Sequence, residues 1–228
     1  MANHVLDNPA WNAMLSGNSH LALGSEQVKF FPEDIGPFAG LKKYDEQSFF
    51  KLYNLIPPGR IIAIPNSNLL FIPEYWKVKD RFDVPQLTFN FNKLPSISFL
   101  EIVPLTQKDV MQMIALTKLT EPGPFLKRTI EFGNYTGIFH SGELVAMAGQ
   151  RMHANEYIEI SAVCTHPDHL GKGYGSSLIN NQVQKIVKEG NIPFLHVKAD
   201  NVHAINLYKR LGFTVRKNIN IYVLEKLN

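Results

Sequence analysis

The stretch that most limits what this chain can become lies around residue 170. Residues 163–178 read VCTHPDHLGKGYGSSL: an apolar run ends, a short loop follows with glycines at 171, 173 and 175, and a helical pattern begins at once. Glycine lets the backbone turn tightly with no side chain in the way. A helix that starts directly behind such a turn points its unpaired N–H groups and the positive end of its dipole outward. Strand, turn and helix start together form an anion cradle, and a pyrophosphate fits it.

Two common phosphate readers are set aside. The triphosphatase pattern GxxxxGK[ST] is absent. The dinucleotide pattern GxGxxG fails because Ser176 stands where its third glycine belongs. With 23 basic and 20 acidic residues the net charge is only +3, too little to argue for nucleic acid. Lys209, Arg210, Arg216 and Lys217 read as a solvated basic face. Five histidines, at 153, 166, 169, 196 and 203, lack paired ligand spacing, so no metal is expected. The single cysteine, Cys164, excludes an internal disulfide. No apolar run approaches the roughly 18 residues that span a bilayer, and the first residues lack a signal-peptide pattern. A cytoplasmic protein with no membrane partner is expected.

Along the chain, residues 27–31, 60–64, 69–72 and 86–91 read as strands and 45–55 as a helix. Residues 92–98 read as a connector. Beyond it the pattern predicts a strand over 97–105 and a helix capped by Thr106, with Asp109 three residues on. Three antiparallel strands follow over 135–139, 143–151 and 157–165, then a helix over 174–188 stopped by Gly190. A strand over 193–198, a helix over 201–211 and a final strand over 213–224 complete a mixed α/β order.

The strand over 157–165 carries a carboxylate. With a period of two, Ile158, Ile160, Ala162 and Cys164 share one face, and Tyr157, Glu159, Ser161 and Val163 the other. A carboxylate inside a strand is costly unless it meets a wet cleft or a partner. Cys164, on the apolar face, reads as a small buried hydrophobe rather than a nucleophile.

HPDHLGKGYGSSL followed by ADNVHAINLYKRLGF resembles the GNAT superfamily of CoA-dependent N-acetyltransferases. The signature Q/R-x-x-G-x-G/A is met by Leu170-Gly171-Lys172-Gly173-Tyr174-Gly175, and N-x-x-A-x-x-L-Y-x-x-x-G-F by Asn201, Ala204, Leu207, Tyr208, Gly212 and Phe213. Leu170 departs from the family's Gln or Arg. The resemblance implies a central, mostly antiparallel sheet with a V-shaped notch, flanked by helices, over 97–228. Residues 1–96 would form a second α/β region, read as a degenerate half of the same fold. It implies acetyl-CoA as cosubstrate, and an amine on a small molecule or peptide as acceptor. Val163, Cys164, Thr165, Leu170, Gly171, Lys172, Gly173, Tyr174, Gly175, Ser176 and Asn201 would hold the cofactor. Glu159 would be the general base, with Glu156 as the nearby alternative, and Tyr208 the acid toward the departing thiolate. A non-catalytic CoA-binding module on the same fold is the rival reading.

Overall fold

The computed structural model describes residues 4–91 and 100–227. The expected connector at 92–98, the boundary between 96 and 97, and the start of the strand expected from 97 lie outside the described residues.

The first helix, α1 (Pro9–Leu15), opens on a proline where the missing N–H costs nothing, and buries Ala10, Trp11, Ala13 and Met14. It lies so close to the next layer that a Cβ on Gly40 would fall 2.5 Å from the Trp11 nitrogen. Strands β1 (Leu23–Gly24), β2 (Val28–Phe30) and β3 (Ala39–Leu41) form a small antiparallel sheet. Helix α2 (Glu46–Leu55) is capped by Asp45, whose carboxylate accepts from the Ser48 N–H at 2.9 Å.

The remaining described strands make one sheet of eight. They are β4 (Ile61–Asn66), β5 (Trp76–Phe89), β6 (Val103–Pro104), β7 (Thr136–His140), β8 (Glu143–Ala154), β9 (Tyr157–Thr165), β10 (Ile192–His196) and β11 (Phe213–Lys226). Their spatial order is β4-β11-β5-β10-β9-β8-β7-β6. Only the β9–β10 pair is parallel. β4 and β5 each pair with β11, so the first half of the chain supplies two strands to the sheet that holds the glycine turn.

Two strand expectations need correction. Residues 69–72 form no strand: Leu69 and Phe71 are 69% and 75% exposed, Pro73 follows, and the segment is tied to β11 by the Leu70 N–H, which donates to the Tyr222 hydroxyl at 2.9 Å. Apolar composition cannot make a strand without an edge to pair with. Conversely, β5 starts at Trp76 rather than at 86. Its first half is charged and exposed, and it is held in extended form by its register with β11.

Thr106 and Asp109 form the expected reciprocal cap ahead of α3 (Val110–Thr120), after one 3-10 turn. Helix α4 (Tyr174–Lys188) buries Ile179, Val183 and Ile186 against Ile158, Ile160 and Leu87, and Leu178 against Val145, Ala146 and Ala148. Helix α5 (Val202–Arg210) joins it on that face through Tyr208. α1 and α3 cover the opposite face, so the eight-stranded sheet lies between two helical layers.

Candidate active site

The sheet opens between β9 and β10. Their parallel pairing runs Tyr157–Ile192, Ile158–Pro193 and Glu159–Phe194, and ends there. Beyond it β10 follows β5, with His196 opposite Gln86, while β9 stays with β8 as far as Thr165. The split coincides with a bulge in β9: two residues, Ala162 and Val163, face the single Ala148 of β8, and Ala162 takes a left-handed φ of 52°. The bulge also reverses the side-chain phase. Ile158 and Ile160 pack toward α4, whereas Ala162 and Cys164 pack with Val110, Met113 and Leu116 of α3. Cys164 is therefore a buried hydrophobe, but not on the face that strict alternation assigns. Burial pushes its thiol up to about 11. His166 N–H donates to the Val145 carbonyl at 2.7 Å. By the alternation of an antiparallel ladder, Thr165 and, two residues earlier, Val163 turn their main-chain groups into the notch.

A second bulge, in β8, sets Arg151 and Met152 opposite Glu159. Arg151 grips that carboxylate with two bonds, Nε to Oε2 at 2.9 Å and an Nη to Oε1 at 2.6 Å. His196 Nδ1 lies 2.7 Å from Oε1. Glu159 is 0% exposed. Burial alone would raise its pKa, but Arg151 and His196 overcome that and hold the carboxyl well below the usual carboxylate range. The chain continues from His196 to Gln86, 2.9 Å between Nε2 atoms, and from Gln86 Oε1 to Arg216 Nε at 2.6 Å. Arg216 then reaches Asp7 at 2.7 Å. A polar ladder thus crosses five adjacent strands, β8, β9, β10, β5 and β11, and ends on the first turn of the described chain. Arg216 is not on a solvated basic face. It is tied into this ladder with its side chain 18% exposed.

Sequence reading singles out Glu159 and overlooks Arg151, His196, Gln86 and Arg216 as its partners. The signal is the same for most of them: one polar side chain within an apolar strand. Glu156 sits in the β8–β9 turn, exposed, and is not among the residues lining the cleft.

The notch widens into a cleft of about 800 Å³, and Glu159, Val163, Asn201 and Tyr208 all line it. Asn201 caps α5, its carbonyl accepting from the Ala204 N–H at 3.0 Å, which leaves the amide nitrogen for other partners. Tyr208 is 9% exposed, and burial pushes its phenol up to about 12.

The glycine turn lies beyond Thr165. Gly171 and Gly173 have φ of 76° and 78°, which a side chain would strain, and a Cβ on Gly171 would meet no atom within 4 Å. The turn is thus open on its outer side. Gly173 begins α4 without a side-chain cap, Ser176 Oγ donates to the Gly173 carbonyl at 2.7 Å, and a Cβ on Gly175 would lie 3.9 Å from Thr165 Oγ1. Lys172 Nζ is 3.2 Å from His169 Nδ1, and Tyr174 stacks near the same imidazole. Leu170 is 65% exposed. Among the described residues no group of three His, Cys, Asp or Glu side chains is placed to hold a metal ion.

A bulged strand splayed from its parallel neighbour beside an uncapped, glycine-led helix start is the architecture of the acetyltransferase class. Comparison with known proteins makes this specific. The FR47-like protein family model matches residues 135–222. A GNAT-family protein of known structure from Novosphingobium aromaticivorans is 31% identical, with a TM-score of 0.91 over 99% of this chain and 100% of that one. The chain belongs to the GNAT family of acetyltransferases. A GCN5-related N-acetyltransferase from Kribbella flavida has the same fold, with a TM-score of 0.63 at 15% identity over 96% of each chain. Among curated relatives, mycothiol acetyltransferase of Corynebacterium efficiens is 33% identical over 86 residues, 37% of this chain and 29% of its own length. An uncharacterised N-acetyltransferase of Methanocaldococcus jannaschii is 42% identical over 59 residues, 25% of this chain and 26% of its own. The matched part of this chain thus spans under a third of the length of these curated relatives.

Proposed function

We propose that this protein transfers an acetyl group from acetyl-CoA directly to the nitrogen of an amine. The observation that carries the reading is the convergence at one notch of an ionised carboxylate, a protonated buried phenol, a splayed strand edge and, beyond that edge, an open glycine turn. Acetyl-CoA supplies an acyl group already activated as a thioester. Main-chain groups of Val163 and Thr165 would run along the pantetheine arm. Cys164 would contribute backbone only, since its thiol is turned toward α3. Amides from Gly171 through Lys172, Gly173, Tyr174 and Gly175 to Ser176 would hold the pyrophosphate. Leu170, the residue that departs from the family signature, adds no polar contact. The Asn201 amide nitrogen is available to the arm.

Tyr208 retains its proton throughout the neutral range and is suited to give it to the thiolate as the C–S bond breaks. A main-chain N–H near Val163 would steady the carbonyl oxygen. For Glu159 the ion pair alters the expected role. A carboxylate held this firmly ionised is a weak proton acceptor, yet among the described residues Oε2 accepts one hydrogen bond, from Arg151 Nε, and has a lone pair to spare. Glu159 therefore orients the amine and offsets the positive charge that grows on nitrogen as the N–C bond forms, and the proton passes on to water. Phe38, Ala63, Phe82 and Val84 from the first half of the chain line the same cleft, which supports a role for that half in walling the acceptor side.

Calorimetry with acetyl-CoA and with CoA, followed by free-thiol release in the presence of amines, tests the reading. Binding of both and amine-dependent release support it. Indifference to either nucleotide overturns it, and binding without release from any amine favours a CoA-binding module.

A further inference from the structure

The strand face that carries Arg151, Glu159 and His196 does not end at β10. Across β5, β11 and β4 the same face continues through Phe82 and Val84, then Ile221 and Val223, then Ile61, and Phe38 leans over it with the Arg151 guanidinium 4.6 Å from its ring centre. The register keeps these residues on one side. Ile221 pairs with Phe82 and Val223 with Ala63, while the alternate residues Ile62, Ile64, Tyr222 and Leu224 point the other way, into the core under α2. The result is an apolar floor that begins at the proposed amine position and extends over three strands.

The charges of the cleft fit this floor in a definite way. Arg151 and Glu159 satisfy one another, so neither is left to recognise a carboxylate or phosphate on the acceptor. The carboxylates Glu33 and Glu121 also line the cleft, a setting that favours a cationic head and disfavours an anionic one. Its lysines, Lys118 and Lys198, come from α3 and from the segment after β10, outside the β4–β11–β5 floor. An acceptor matched to this surface carries its amine on a body with little hydrogen-bonding capacity, because polar groups laid on the floor would lose water and gain no partner.

Resting on the acetyl-transfer reading, we infer that the acceptor is a primary amine borne on an aryl or branched alkyl body, and that Phe82, Ile221 and Val223 set this selectivity. Discrimination by such a surface amounts to about tenfold or more for each methylene-sized contact.

The test is thiol release from acetyl-CoA with 2-phenylethylamine and 3-methylbutylamine against glucosamine, spermidine and glycine. The expected result is a kcat/KM at least about tenfold higher for the two apolar amines, expressed mainly in KM. Phe82→Ser is expected to narrow that ratio by about tenfold. Val223→Thr, which preserves volume and fold, is expected to narrow it by a smaller factor in the same direction. Equal or higher kcat/KM for any polar amine overturns the inference while leaving acetyl transfer intact, as does an equal loss with all five acceptors in both variants. Thiol release from none of the five, with acetyl-CoA still bound in calorimetry, overturns the inference alone, whereas failure to bind acetyl-CoA overturns the transfer reading.

Discussion

Gln86 holds His196 in a single tautomer. The Gln86 amide nitrogen is 2.9 Å from the ring Nε2, and its orientation is fixed because Arg216 Nε donates to the amide oxygen at 2.6 Å. The same nitrogen donates to the Leu6 carbonyl at 3.1 Å. Nε2 must accept, so the ring proton sits on Nδ1 and faces Glu159. Long-range nitrogen–proton NMR should show His196 in this tautomer, and Gln86→Leu should lose the signature. An Nε2–H tautomer in the unaltered protein would contradict the ladder. Gln86→Leu should also lower stability by about 1–3 kcal/mol, since one donor, Arg216 Nε, and two acceptors, His196 Nε2 and the Leu6 carbonyl, lose their partner.

The Glu159–Arg151 pair makes stability depend on acid in a definite direction. Glu159 is held below the usual carboxylate range, so the folded chain binds this proton less readily than the unfolded chain. The stabilisation is fully present above the unfolded value of about 4.3 and is lost as pH falls below it toward the folded value. Glu159→Gln should be less stable at neutral pH by on the order of 3 kcal/mol, because Arg151 is left buried without its counter-charge. Its urea midpoint should then change less between about pH 7 and pH 4 than that of the unaltered protein. Parallel curves would remove Glu159 from the account of acid sensitivity.

Tyr208→Phe removes one oxygen from a well-packed ring and should leave the urea midpoint nearly unchanged. If the phenol is the proton donor, kcat should fall by about a hundredfold with little change in the KM for acetyl-CoA. Since the phenol titrates only near pH 12, the unaltered enzyme should show no loss from this group up to about pH 10. A kcat within about threefold of the original would assign the proton to water instead.

The exposed Leu170 is a place to add a contact. Leu170→Arg places a cation beside the proposed pyrophosphate cradle and should tighten CoA about threefold, an effect that weakens at high salt. Gly173→Ala, at a φ of 78°, should cost about 1 kcal/mol of stability and weaken CoA as well. If Leu170→Arg leaves calorimetric affinity untouched, the phosphates do not lie over this turn.

Much of this could be read from sequence where a local rule governs. The glycine turn that leads into α4, the Thr106 cap and the stop at Gly190 each follow from a few adjacent residues and their backbone chemistry. What sequence missed depends on partners far along the chain. The charged half of β5 is extended because β11 lies beside it, and the 69–72 run stays irregular because no edge is offered. The phase reversal at Ala162 shows how a one-residue bulge defeats strict alternation: Glu159 is placed correctly and Cys164, five positions later, is not. Arg151, Gln86 and His196 come from three separated segments, and only the bulge in β8 and the turn of β10 toward β5 bring them to one carboxylate.

The position of β11 between β4 and β5 has a consequence for how the molecule assembles. Trp76 pairs with Lys226 and Phe89 with Phe213, so the earlier strands wait for a late one before either gains its full set of ladder bonds. A nascent chain halted before residue 213 leaves β4 without its neighbour and one long side of β5 bare, edges open to pairing with another chain. Such non-local closure slows folding, and truncated or stalled products of this protein should be the ones that aggregate and call on chaperones.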